Sequence, residues 1–331
     1  MLRRALRGSA GTPRCAGVTS TRVDGRAWIA SGLLALAVAS WAGNWVIGRM
    51  IRFDAPPAGI TFLRWAISAV ILLVYSRRSI VQHWALLRRS WGVLLVLALL
   101  ASVLQHLPVY IGLRTTTATT ASLLNATTPV FILLIAWLVI GEKLTKAVLA
   151  GVVIALSGAL WIVTRGHPEA VAGWTLNVGD MWILLGTVSL AFYTICLRWR
   201  PPGLPAATLL CAISTLGALC ALPLAAAEFA SGARFVWSSQ LLAAVVYISV
   251  GATVLAYFCW NKGVQILGAS RAGPFMYLMP VYTPLMGWLW LDEAVETFHL
   301  FGIALIFAGI LLTRFTAHGA RARESAPDAP A

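Results

Sequence analysis

The side chains of this chain that could do chemistry sit inside long apolar runs. Arg64 is the one permanently charged residue well inside such a run, and no acidic residue lies inside any of them to pair with it. Insertion scales put a charge there at about 2.5–3.5 kcal/mol. Arg64 therefore either snorkels to water or takes a carbonyl partner, or it meets an anionic or carboxylate-bearing solute. His106, beside Gln105, is the only histidine within a run, and an imidazole titrates near neutral pH. It is the candidate proton carrier, with a hydrogen-bonded structural residue as the alternative. Trp41, Asn44, Trp45, Tyr110, Tyr193, Tyr257, Trp260 and Asn261 could line an aromatic and amide cavity. Asn125, among the threonines of its own run, and Tyr277, beside a group of prolines, are further candidates for solute contact. The missing carboxylate weighs against a lipophilic cation as solute and favours a neutral, zwitterionic or anionic one.

Other chemistries find no residues to carry them. Cys196, Cys211, Cys220 and Cys259 lie in apolar runs and Cys15 near the N-terminus, with no CxxC pair and no histidine at metal-ligand spacing. No HExxH, Ser/His/Asp grouping or carboxylate pair suggests an enzyme, and neither a metal nor a cofactor is implied. The formal charge of +14 invites a nucleic-acid reading. The charges, however, fall between apolar runs and at the chain ends, where topology signals lie, so nucleic acid is not expected as a partner.

These residues need elements to hold them, and composition names the solvent. With 60% apolar and 11% charged residues among 331, and a mean hydropathy of +0.83, polar groups are too few to cover a soluble globule of this size. A bilayer core needs about 20 apolar residues per helix, and ten segments qualify. They are 28–48, 58–76, 91–113, 116–140 and 147–164, then 181–198, 205–226, 240–261, 269–291 and 298–315. The expected fold is an all-α integral membrane protein. Ten spans put both termini on one side. If that side is cytoplasmic, it holds 19 of the 25 basic residues, as the positive-inside rule demands.

The first half of the chain recurs in the second. Subtracting Pro129 from Pro280, Trp137 from Trp288 and Glu142 from Glu293 gives 151 each time, and the same offset superposes Gly112 on Gly263, Gly151 on Gly302 and Gly158 on Gly309. A repeat of five spans is odd, so its second copy must enter the bilayer upside down. Inverted pairs of this kind are the common architecture of secondary transporters.

Within the repeats, Gly151, Gly158, Gly302 and Gly309 form a small-residue seam suited to a contact between halves or between protomers. Pro129, Pro274 and Pro280 remove backbone donors and should loosen the fourth and ninth spans as hinges. Glu142 and Glu293 close those spans on opposite faces, as interface anchors or gate residues.

WAGNWVIGRM in the first span, FLRWAIS in the second, PVFILLIAWLVIGE in the fourth, its echo PVYTPLMGWLWLDE, and the paired glycines together resemble the EamA family of the drug/metabolite transporter superfamily. The resemblance covers 28–316. It implies a ten-helix fold of two inverted EamA repeats around a central cavity, in a cell membrane carrier of the inner or plasma membrane that often exports amino acids or related metabolites. The expected division is a cytoplasmic basic tail at 1–27, read as uncleaved, a first repeat at 28–164, a linker at 165–180, a second repeat at 181–315 and a cytoplasmic tail at 316–331. An over-long gene start is the alternative for the first segment. The expected partners are the lipid bilayer, a small-molecule solute and, for a proton-driven carrier, protons, in a monomer or homodimer. The competing readings are an importer or nucleotide-sugar carrier and, from another class, a membrane scaffold or enzyme.

Overall fold

The computed structural model describes residues 25–116, 121, 124–125, 127–141, 145–164, 166–167, 169, 177–279, 281–282, 285–286 and 297–324. Glu142, Glu293, Pro280 and most of 117–126 lie outside this set, and so do the anchor, hinge and cavity-wall roles expected of them.

Every regular element among the described residues is helical. Six helices are long and apolar enough to cross a membrane. They are α1 (Gly25–Met50), α2 (Pro57–Gln82), α3 (Trp91–Gly112), α6 (Val178–Cys196, extended by a 3-10 turn to Trp199), α7 (Ala206–Ala230) and α8 (Ser239–Leu267). The fourth, fifth and tenth expected spans are represented by α4 (Thr128–Ile140), α5 (Lys146–Val163) and α10 (Thr297–Glu324), whose apolar stretches are shorter. In the ninth, one helical turn, α9 (Ala269–Ala272), passes into a 3-10 helix at Gly273–Leu278. The last helix runs past the expected end at 315 to Glu324, since nothing in its sequence breaks it.

Local signals set the boundaries. Proline is tolerated where no intrahelical donor is needed, and α2, α4 and the 3-10 segment each begin with one, at Pro57, Pro129 and Pro274. The Asn177 side chain and Asp180 form a capping box at the start of α6. Gly141 ends α4 with φ of +63°, a conformation that costs a β-carbon-bearing residue about 1 kcal/mol or more.

Two interruptions bear on the interior. α3 breaks at Ser102, whose hydroxyl bonds back to Ala98 O at 2.7 Å. α8 widens into π-type turns over Tyr247–Leu255, a rare geometry that recurs at functional positions. Around those turns, backbone carbonyls accept bonds from other helices: Ala252 O from Trp41 Nε1 at 3.0 Å, and Ser249 O from the Ser68 hydroxyl at 2.9 Å.

The long helices pack in antiparallel pairs. Gly263 of α8 backs onto Leu34 and the Ala30 carbonyl of α1. In α3, Gly112 backs onto Gly179 O of α6, while Gly186 of α6 backs onto Gln105 O. α2 and α7 are tied at one end by Gly59 N–H to Glu228 Oε2 at 2.9 Å and at the other by the Ser79 and Thr208 hydroxyls at 2.7 Å. Lipid offers helices no hydrophobic reason to associate, so small residues that let backbones meet supply the contact. The α5–α10 crossing is the clearest case. A β-carbon on Gly158 would fall 2.6 Å from Gly302 O, and one on Gly309 would strike Gly151 O. Adding 151 to Gly158 gives Gly309, and subtracting 151 from Gly302 gives Gly151. One contact therefore maps onto the other when the halves are exchanged.

Many large side chains face outward along the helices, among them Ile29, Val70, Tyr75, Leu138 and Leu242. Such a surface suits lipid rather than water.

Candidate functional site

A small cavity lies where α1, α3 and α6 meet the fourth and ninth segments. Its walls are Trp41, Asn44 and Trp45 of α1, Gln105, His106 and Val109 of α3, Leu190 of α6, Asn125, and Met276 and Met279. The free space among them is about 20 Å3, room for about one water molecule. Asn125 reaches across it, donating from Nδ2 to Met279 Sδ at 3.0 Å.

Arg64 stands behind this wall, fully buried. Its Nε donates to the Thr253 hydroxyl at 2.9 Å and one Nη to Tyr110 Oη at 2.9 Å, with longer contacts of 3.4 Å to Asn44 Oδ1 and Ala252 O. The side chain turns inward to hydroxyl, amide and carbonyl partners from α1, α3 and α8, and does not snorkel. No carboxylate neutralises it among the described residues. A guanidinium held only by dipoles keeps its charge effective over a short distance in a low-dielectric interior. Tyr110 accepts from it and in turn contacts Asn44 Oδ1 at 3.4 Å, so the charge is coupled to the cavity lining.

His106 presents one ring nitrogen to the backbone. Nδ1 lies 2.7 Å from Ala101 O, and since a carbonyl can only accept, Nδ1 is the protonated nitrogen. Nε2 is left for a solute or a proton. Beside it Tyr257 is an aromatic hub, with ring centroids 5.3 Å from Trp41, 5.3 Å from Trp65, 5.6 Å from Tyr193 and 6.0 Å from His106. Its hydroxyl donates to Gln105 Oε1.

Of the residues singled out from sequence, Trp41, Asn44, Trp45, His106 and Asn125 come together at the cavity. Arg64, Tyr110, Tyr193, Tyr257 and Tyr277 are buried in the shell behind it. The Tyr277 hydroxyl has no hydrogen-bond partner among the described residues. Met276, Met279, Leu190 and Val109 were missed, because apolar residues in apolar runs carry no signal of their own. Thr253 was missed because its partner, Arg64, lies in the other half.

The shell has internal symmetry. Tyr193 donates to Asn261 Oδ1 at 2.7 Å, and this pair mirrors Tyr110 with Asn44 at 3.4 Å. Tyr110 lies 151 before Asn261, and Asn44 lies 149 before Tyr193. The same 149 relates Ser40 to Ser189, Ala42 to Ala191 and Pro56 to Pro205. One half puts the amide on its first helix and the phenol on its third, and the other half does the reverse.

The two ends of this core differ. Where α1 and α3 finish, Arg49 donates to Leu113 O and Thr116 O, both at 2.7 Å, and the Thr116 hydroxyl donates to Asp180 at 2.8 Å. At the opposite end a cleft of about 430 Å3 opens between the ends of α4, α6 and α8, lined by Ile140, Thr194, Leu197, Arg198, Val264 and Gly268 among others.

Helices long and apolar enough to cross a membrane enclose a buried polar core, and comparison with known proteins says which family builds such a bundle. The sequence profile of the EamA-like transporter family matches at 28–164 and again at 177–315. An uncharacterized transporter of Bacillus subtilis, YetK, is 28% identical over 280 residues, covering 85% of each chain. A probable terminal-alkyne amino-acid exporter of Streptantibioticus cattleyicolor is 29% identical over 214 residues, 63% of this chain and 68% of its own. In overall fold the chain is similar to a protein of known crystal structure with a TM-score of 0.69 at 20% identity, over 88% of this chain and 98% of that one. The chain belongs to the EamA-like transporter family and is a membrane transporter.

Proposed function

We propose that the protein is a secondary carrier that exports a small zwitterionic or anionic metabolite, of the amino-acid class, by alternating access. In this reading ten spans form two inverted five-helix repeats, 28–164 and 181–315, with both termini cytoplasmic. The observation that carries it is the mirrored pair Asn44–Tyr110 and Tyr193–Asn261 flanking one small cavity. Two inverted copies of one binding element around one chamber are what a carrier needs in order to offer the same solute to either face. The uncompensated Arg64 supports a solute carrying a carboxylate, which its field would hold through Asn44 and Tyr110. The probable terminal-alkyne amino-acid exporter among the relatives supports the solute class and the direction. The excess of basic residues on the terminal side supports the orientation.

Purified protein in liposomes, given labelled amino acids and organic anions with and without a pH gradient, tests this reading. Saturable flux of a carboxylate-bearing solute is expected, and folded protein that moves none of the panel overturns it.

A further inference from the structure

The offset of 149 that pairs Asn44 with Tyr193 also pairs Arg49 with Arg198, and the offset of 151 pairs Leu113 and Thr116 with Val264 and Leu267. At one end of the core the first set is engaged, with Arg49 clasping the two carbonyls that finish α3. At the other end the second set stands apart. Arg198 is exposed, makes no hydrogen bond among the described residues, and lines the 430 Å3 cleft together with Val264.

The four helices involved form two antiparallel pairs, α1 with α8 and α3 with α6. Arg49 sits on the first pair and reaches the second. Arg198 sits on the second and, by symmetry, faces the carbonyls of the first. A rocking of one pair against the other about the central cavity would separate one end as it joins the other. Equivalent parts in inequivalent states are what inverted repeats produce in a carrier caught facing one side.

We infer that Arg49 and Arg198 are the two clasps of one gate: Arg49 closes the far mouth in the state described here, and in the opposite state Arg198 closes the cleft by donating to Val264 O and Leu267 O while Arg49 lets go. The inference rests on the alternating-access reading and adds to it the residues that hold each state. Charge-assisted bonds to helix-end carbonyls suit the task because each stabilises one state alone, and only such differential contacts shift a conformational equilibrium. Leu113 O and Thr116 O, just past the end of α3, take no backbone donor among the described residues, and Val264 O, which accepts from Gly268 N–H at 2.9 Å, keeps a second lone pair for a guanidinium.

The test uses the full chain in liposomes, with the five native cysteines replaced by alanine and a reporter cysteine, Val109→Cys, in the cavity wall. Labelling by a membrane-impermeant maleimide is read from each side separately. The parent is expected to label from the side of the cleft. Arg49→Gln should raise labelling from the far side about a hundredfold or more, the loss expected for two charge-assisted bonds. Arg198→Gln should lower far-side labelling under turnover conditions, and the double variant should return towards the parent ratio. Arg49→Gln with unchanged far-side labelling overturns the inference, as does Arg198→Gln labelling like the parent. Because the readout needs no flux, a gate that responds as expected in protein that transports nothing would leave the clasps standing and remove the carrier reading alone. Arg49→Lys, which keeps a donor, should label close to the parent and so separates a clasp from a folding defect.

Discussion

The two halves of the chamber hold the same pair of groups under different electrostatics. In the first half Tyr110 and Asn44 both accept from Arg64, so their oxygens are committed to a cation. In the second, Tyr193 and Asn261 bond only each other at 2.7 Å, and Asn261 Nδ2 is buried without a partner among the described residues. Duplication supplied a symmetric frame, and one arginine polarised it. One pair is therefore bound to a cation, and the other is neutral and keeps a donor. In the carrier proposed above, that difference would match the two unlike ends of a zwitterion.

The comparison can be broken at several levels. The largest effect should come from the frame. Gly158→Val places side-chain atoms against a backbone carbonyl that cannot yield, and Gly309→Val does so at the mirrored contact. Both should lose several kcal/mol and give little monodisperse protein in detergent. One tolerated and the other not would show the halves to be mechanically unequal. Next is the polarising charge. Arg64→Met should weaken carboxylate-bearing solutes about tenfold or more while changing uncharged analogues far less, as competition in the liposome assay would show. Equal losses for both would assign Arg64 to structure alone.

A paired measurement gauges how far the halves differ. Tyr110→Phe removes an acceptor from a buried guanidinium and should cost about 2 kcal/mol, whereas Tyr193→Phe removes one neutral bond at about 1 kcal/mol. Thermal midpoints of the two variants should fall in that order, and the reverse order would mean that Arg64 has other support. The smallest structural effect is expected at His106. His106→Gln keeps a donor for Ala101 O but gives up the ring contacts with Trp65 and Tyr257, and should cost no more than about 1 kcal/mol, yet abolish dependence of uptake on a pH gradient. Retained dependence would remove His106 from proton coupling.

How much of this was open to reading from the chain depends on whether the two halves kept their residue types. The 151 offset was visible because Pro129 and Pro280, Gly158 and Gly309 are unchanged between repeats. The 149 offset of the first spans was fainter: Ser40, Ala42, Arg49 and Pro56 keep their types at Ser189, Ala191, Arg198 and Pro205, but at the site itself Asn44 stands opposite Tyr193. The hydrogen bonds are what show those two to be equivalent. Arg64 was conspicuous as a lone charge, but its partners Thr253 and Ala252 lie on the π-widened part of α8, and no periodicity announces where a helix will widen. The break at Ser102 was equally silent, because a serine that bonds back to its own helix is common in unbroken ones.

The reciprocal contact of Gly158 with Gly302 and of Gly309 with Gly151 carries a consequence for heredity. A lesion at Gly158 meets its injury at Gly302 and Leu305, not at its duplicate Gly309. Second-site suppressors of a Gly158 allele should therefore arise around codons 302–306, and those of a Gly309 allele around 151–155. A duplicated gene of this kind is in genetic terms a pair of interlocked cistrons that diverge under each other's constraint, with every change in one copy judged by the opposite end of the other.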